Sequence, residues 1–327
     1  QVNPTSQFLN TPGGVARIDS LAWSGRALRV NGDRTLLPTP RPARLLAGPF
    51  DGGEIGERLL AGAGRGPGLP GSRPFVRRDG FGMASAALSY PLVLAPGDSA
   101  AVYLEIPLTP GGRANLPQGD PALFEAARAE VIGAWAETVD RVGITLPPAA
   151  EALAQSIRAT QAWVLINRDG PAIQPGSRSY ERSWIRDGSL TSSAMLRFGH
   201  PEVVRDFLRW FAPQVYANGK VPCCIDHRGA DPTPEHDSHG EFLWLLMEYW
   251  RHTGDTALLR ETWPVARRTV AYMDSLRGAR LTPAYAGTEF EGLLPPSISH
   301  EGYSAKPMHS YWDDFFAYRG YRDAVAM

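Results

Sequence analysis

The sequence predicts a sheet-rich N-terminal domain followed by an all-α toroid built from helical hairpins. Three observations carry that expectation. Up to about residue 110, short apolar–polar alternations are broken by Gly and Pro, as in sheet-forming chains. Beyond Pro110 the apolar spacing becomes helical, and eight of the nine Trp lie in that part. The helices also come in pairs. Leu196–Glu202 and Trp250–Thr256 share one order of events (helix end, Gly, polar cap, new helix), with Gly199 and Gly254 standing 55 residues apart.

The elements follow in order. Val15–Trp23, Ala84–Val93 and Ser99–Ile106 read as strands. Leu92–Ser99 followed by Ala101–Ile106 reads as strand, turn, strand, because Pro96 fixes φ and Gly97 accepts a positive φ. Residues 61–80, rich in Gly, Arg and Pro, read as a long exposed loop. Asp120 as N-cap and Pro121 at the first helical position open a helix to Val139, with Leu123, Ala127, Val131 and Trp135 along one face. Further helices are expected over Ala149–Ile166, from Asp187 through Phe198 with Gly199 as the stop, and over Pro201–Phe211. The remaining three run from Asp237 or Ser238 to His252 with Gly254 as the stop, over Thr256–Leu276, and over Ser310–Val325. This places a sheet domain over 1–112, a linker helix region over 113–148 and a helical domain over 149–327.

Composition narrows the function. A chain of 327 residues with 43% hydrophobic and 20% charged residues buries real cores. A net charge of −1 argues against a general nucleic-acid binder. No run of 18 apolar residues suggests a membrane span, and nothing near Gln1 reads as a signal peptide, so the compartment is unassigned. The basic residues are 31 Arg and 2 Lys, a bias that reads as genome composition. No glycine-rich phosphate loop follows a strand and no Gly-x-Ser-x-Gly elbow occurs, so neither a nucleotide cofactor nor a serine nucleophile is expected. No cofactor of another kind is expected. Cys223 and Cys224 are adjacent, lack any CxxC or Cys/His spacing, and read as unpaired buried residues.

Three segments carry candidate chemistry, and each is a loop rich in aromatic and ionisable residues feeding a helix N-terminus. The first, Ser179–Gly188, holds Tyr180, Glu181, Arg182, Trp184, Arg186 and Asp187. Its structural reading is Asp187 as a helix cap with Arg186 paired nearby. Its functional reading is a sugar-binding edge, with Trp against an apolar ring face and Arg and Asp on paired hydroxyls. The second, Pro234–Trp244, holds Glu235, His236, Asp237, His239 and Glu241. His236, Asp237 and His239 are conceivable metal ligands, but their spacing fits no standard zinc motif. The alternatives are helix capping by Asp237 with Glu241, or a general acid held protonated by burial. The third runs over Gly292–Tyr303 and then Met308–Phe316, with Glu301, Trp312, Asp313 and Asp314. Asp313 and Asp314 suit capping, and Tyr311 and Trp312 suit a core.

At these segments the chain resembles the six-hairpin (α/α-barrel) glycosidases, which include glucoamylases, glycogen-debranching glucosidases, trehalases and glucosidase-I-like enzymes. Trp184-Ile185-Arg186-Asp187-Gly188 is similar to that superfamily's Trp-x-Arg-Asp-(Ala/Gly) segment. The resemblance implies that Arg186 and Asp187 bind the terminal sugar with Trp184 as a wall. Asp237-Ser238-His239-Gly240-Glu241 looks like the acid-bearing segment, which implies Asp237 as general acid, then Glu241, then Glu235. Tyr180, His239, Glu301, Trp312 and Asp313 fall among the implied substrate-binding residues, and Tyr311–Ala317 resembles a barrel helix. The sheet domain is similar to the β-sandwich that often precedes such barrels. An incomplete toroid is expected, since the helices after residue 150 number about half of six hairpins.

The resulting expectation is an inverting glycoside hydrolase on a glucoside-like substrate, whose acid and base stand roughly 6.5–9.5 Å apart. No convincing base is found in the sequence. If the chain is truncated, catalysis should fail and exposed apolar faces should favour self-association. Two other readings stay open: a non-catalytic carbohydrate-binding fragment of the same fold, and an α-toroid polysaccharide lyase built on His236, His239, His300, His309 and Tyr303. A terpenoid-type enzyme would need more than Asp313-Asp314.

Overall fold

The computed structural model describes residues 17–53, 55–60, 69–107, 121–176, 180–299, 302 and 305–327. They fall into two compact units, Gln1–Ala134 and Trp135–Met327.

The first unit contains β1 (Ser20–Trp23), β2 (Leu28–Val30), β3 (Arg34–Thr39), β4 (Arg44–Gly48), the short helix α1 (Ile55–Leu60), β5 (Leu69–Pro70), β6 (Phe75–Arg78), β7 (Ser85–Ser89) and β8 (Tyr103–Glu105). They form two antiparallel sheets, ordered β6-β1-β2-β3-β8 and β5-β4-β7. Period-two alternation turns Leu21 and Trp23 of β1 inward. They meet Leu28, Leu36 and Phe75 of the same sheet and Leu45 and Ala86 of the other, so one apolar core serves both. Trp23 satisfies its ring N–H on the Gly71 carbonyl at 2.7 Å. This arrangement is compatible with a sandwich.

Two local expectations fail here. The strand–turn–strand over Leu92–Ile106 does not form. The turn is present, with Asp98 N–H on Ala95 O at 3.0 Å and Gly97 at φ +89°. Its first flank is exposed, Val93 almost completely, and pairs with nothing that would make it a strand. The second flank contributes only β8, which pairs instead with β3. The proposed 61–80 loop also contains β5 and β6, because Phe75 supplies core volume; its first part, 61–68, lies outside the described residues.

A helix, α2 (Pro121–Val139), leads out of this unit across the boundary into the second. Its limits match the expectation, with Asp120 outside the described residues. No residue of α2 is buried. Phe124 and Ile132 lie off the Leu123–Trp135 stripe, so the apolar residues do not concentrate on one face.

The second unit holds α3 (Glu151–Ile166), β9 (Ser183–Trp184), α4 (Ile185–Arg197), α5 (Pro201–Phe211), β10 (Cys224–Asp226), β11 (Gly229–Ala230), α6 (Asp237–Thr253), α7 (Thr256–Gly278) and α8 (Tyr311–Ala326). Pro201 opens α5 where its missing N–H costs nothing, and Val203, Val204, Phe207, Leu208 and Phe211 form its buried stripe. Gly199 and Gly254 both follow a helix end with positive φ, +78° and +68°. Asp255 then caps α7 through Ala257 and Leu258 N–H.

Helix α6 is central, buried almost throughout its first three turns and packed between α4 and α8. It crosses α8 where glycines face each other. A Cβ on Gly240 would stand 1.9 Å from the Phe316 carbonyl oxygen, and one on Gly320 would stand 2.7 Å from Gly240 Cα. Gly240→Ala is therefore expected to cost about 1–3 kcal/mol or more, since backbone cannot yield as a side chain does. Chemical denaturation measures this; a loss below about 0.5 kcal/mol, the level of an ordinary surface change, would show that the crossing has room.

Candidate functional site

Strand β9 pairs with β10 through Trp184↔Cys224, and Ile185 N–H bonds to the Cys223 carbonyl at 3.0 Å. The chain then passes directly into α4. Helix α4 thus begins at Ile185, which corrects the expectation of Asp187 as N-cap. Asp187 sits inside the first turn, where its charge still complements the helix dipole. Asp237 is likewise the first residue of α6, following an N-cap position held by His236.

The starts of α4, α6 and α8 meet at a cleft of about 440 Å3. Its polar lining includes Arg186, Asp187, Glu235, Asp237, Trp312 and Asp313, with Leu190 and Ile298 on the apolar side. The Arg186 guanidinium organises the acids. Its Nη1 lies 3.1 Å from Glu235 Oε2 and 3.7 Å from Asp237 Oδ2, and its Nη2 lies 4.0 Å from Asp187 Oδ2. Trp312 Nε1 donates to Asp237 Oδ2 at 2.9 Å. Ser297 Oγ donates to Asp313 Oδ2 at 2.5 Å.

Several carboxyls around one guanidinium cannot all ionise cheaply. Burial pushes Asp237 upward, Glu235 adds repulsion, and Arg186 and Trp312 oppose the rise. Asp313 is pushed up to about 7, first by burial and then by Asp237, Asp314 and Glu235, against the Ser297 hydrogen bond. It therefore still binds a proton near neutrality. Glu241 is fully buried, both its oxygens lack a hydrogen-bond partner, and burial followed by the Asp237 charge holds it well above the usual carboxylate range. It contributes no lining to the cleft.

His236 and His239 are held neutral. Burial lowers His236 to about 4 and His239 to about 3. His239 points Nδ1 at the His236 carbonyl at 3.0 Å and stacks on Tyr272, so the His236–Asp237–His239 run does not converge as ligands. Trp184 is buried with Cys223 and Cys224 and carries the Arg182 guanidinium 5.3 Å from its ring. It does not line the cleft, whereas Trp312 does. Tyr180 is exposed, 6.3 Å from Trp184. Glu301, with His300 and Tyr303, lies outside the described residues.

Sequence reasoning missed Ser297. The hydroxyl sits sixteen positions before Asp313, in the loop singled out for its turn residues, and no periodicity links the two. Glu235, ranked last among the acid candidates, lies 3.1 Å from Arg186 Nη1.

No protein-family model matches the chain. No curated protein matches it either. Among solved structures, a bacterial glucoamylase complexed with acarbose matches with a TM-score of 0.54 and 12% identity, over 80% of this chain and 40% of its own. A glycosidase with one glutamate replaced by alanine matches with a TM-score of 0.36 and 19% identity, over 48% of this chain and 45% of its own. The glucoamylase likeness is one of fold: the chain shares its architecture, and it spans less than half the length of either solved chain.

Proposed function

We propose that the chain carries part of the active site of a six-hairpin glycosidase that cleaves a glucoside-like oligosaccharide by inversion. The observation that supports this best is the convergence of Asp237 and Asp313, both with raised proton affinity, on one cleft with Arg186 and Trp312. General acid catalysis needs a carboxylic acid that still holds its proton at the working pH. In this reading the Asp237–Asp313 pair supplies that proton to the leaving oxygen. The Asp237 charge raises the proton affinity of Asp313, so ionisation of the first favours the proton on the second. Arg186, Asp187 and Glu235 take sugar hydroxyls, and the exposed part of Trp312 meets a sugar face. An inverting course also needs a base on the opposite side of the ring, and none is assigned among the described residues.

The glucoamylase of the same fold was solved with acarbose, which makes acarbose the first ligand to try. Calorimetry on the full chain should show binding that weakens about tenfold in Trp312→Ala, the scale of a lost aromatic contact. On aryl glucosides, Asp237→Asn should lower turnover by about 10²–10⁴, whereas Glu241→Gln should keep it, because that side chain is fully buried and does not line the cleft. Full activity in Asp237→Asn would remove Asp237 from the acid pair. Binding without cleavage would support a carbohydrate-binding role instead.

A further inference from the structure

The cysteine pair behind the cleft has its own geometry. Cys223 and Cys224 are free thiols, 1% and 0% exposed, with Sγ atoms 3.6 Å apart. Consecutive strand residues face opposite sides of a sheet. Here the backbone bends at Cys223, just before β10, and both sulfurs fall on one side. The β10–β11 hairpin returns Asp231 to the same place. Cys224 Sγ is 3.9 Å from Asp231 Oδ2, and Cys223 Sγ is 4.0 Å from the Asp231 carbonyl. One ligand atom from each residue lies within 4.8 Å of the others. Two thiolates on one tetrahedral zinc, at about 2.3 Å each, stand ~3.8 Å apart, close to the separation found here.

We propose that Cys223, Cys224 and Asp231 form a binding site for one thiophilic divalent cation of the zinc class, with a fourth position open to water or to the Asp231 carbonyl. The charges balance. Two thiolates and a carboxylate carry three negative charges; the cation supplies two positive ones and Arg182 the third. Arg182 Nη2 lies 2.7 Å from Asp231 Oδ2 and Thr233 N–H bonds Oδ1 at 2.9 Å, the supporting contacts that orient a metal-binding carboxylate. Lys220 also faces the cluster, and its ammonium is engaged by the Pro232 carbonyl. Arg182 further pairs with Asp226 at 3.0 Å, and Asp226 pairs with Arg228, so those charges are spent locally. The Cys224 contact and then burial push the Cys223 thiol strongly upward. Binding breaks two S–H bonds, forms two S–metal bonds and releases two protons to solvent, with no change of oxidation state.

Such an ion would brace the β9–β10–β11 sheet. Trp184 packs on both cysteines and pairs with Cys224 across the sheet, and Arg186 follows two residues later. The proposal stands whether or not the cleft cleaves sugars.

The test uses the full chain, reduced and stripped with chelator, titrated with cadmium as a spectroscopic stand-in for zinc. The expected result is one equivalent bound with a sulfur-to-cadmium charge-transfer band, two protons released per ion, displacement by zinc, and a raised unfolding midpoint. Cys223→Ser and Cys224→Ala should each remove the band. Arg182→Gln should weaken binding about 10–100-fold, as outer-shell substitutions do, and Asp231→Asn by more. Because buried substitutions can unfold a chain, each variant's near-ultraviolet dichroism without metal is compared with that of the parent. The proposal is overturned if the folded parent, with both thiols reduced, shows no band at millimolar cadmium, or if binding survives in a folded Cys223→Ser/Cys224→Ser double variant. Isolation of the pair as a disulfide that resists reductant would overturn it as well.

Discussion

Asp313→Asn is expected to change how stability depends on pH and, under the proposed glycosidase function, to lower turnover by about 10²–10⁴. The first effect needs no substrate. In the unfolded chain an aspartate titrates near 3.9. In the folded chain burial pushes Asp313 up to about 7. Between those values the folded state holds the extra proton, so this carboxyl's contribution is full below about pH 4 and disappears as pH rises to about 7. His236 at about 4 and His239 at about 3 act with the opposite sign: both are buried neutral, and their contribution is lost as pH falls below about 6.5. The difference between parent and variant cancels the histidines and isolates Asp313. That stability difference should fall from pH 4 to pH 7 and flatten above. Parallel curves would show that Asp313 titrates as an ordinary carboxyl and could not hold a proton for catalysis.

The second large effect is expected at Arg186. Its guanidinium is mostly buried and lies 3.1 Å from Glu235 and 3.7 Å from Asp237. Arg186→Met removes the guanidinium charge from beside those acids in a low-dielectric site, at a cost of about 3–5 kcal/mol at neutral pH. The loss should shrink in acid, where the carboxyls take up protons instead, and acarbose binding should disappear with the fork that holds its hydroxyls. Arg186→Lys should recover part of the stability and little of the binding, since an ammonium lacks the planar fork. A cost below about 1 kcal/mol, the range of exposed pairs, would mean solvent already neutralises the cluster.

Much of the helical part was legible because its signals are local. Pro201 and Phe211 bound α5 as expected, and Gly254 closes α6 with the positive φ that glycine tolerates best. The three loop-to-helix segments also come together in space: Arg186, Asp187, Asp237, Trp312 and Asp313 line one cleft. In the sheet unit the same local reasoning failed at Leu92–Ile106. The turn chemistry was right, but a strand needs a partner, and β3 claims only its last residues.

The site divides in the same way. Residue types and their nearness to helix starts are written in the chain, and they name the acids, the arginine and the indoles. Packing decided which of two tryptophans opens to the cleft, with Trp184 sealed against the cysteines and Trp312 reaching Asp237. It also decided that Asp313 lines the cleft while Glu241 does not. Proton affinity could not be read from the chain at all. It depends on burial and on charges brought together from distant segments, as when Ser297, Asp237 and Glu235 meet Asp313. Helix caps and turns act over about four residues, whereas desolvation and Coulomb interaction sum over whatever the fold places nearby.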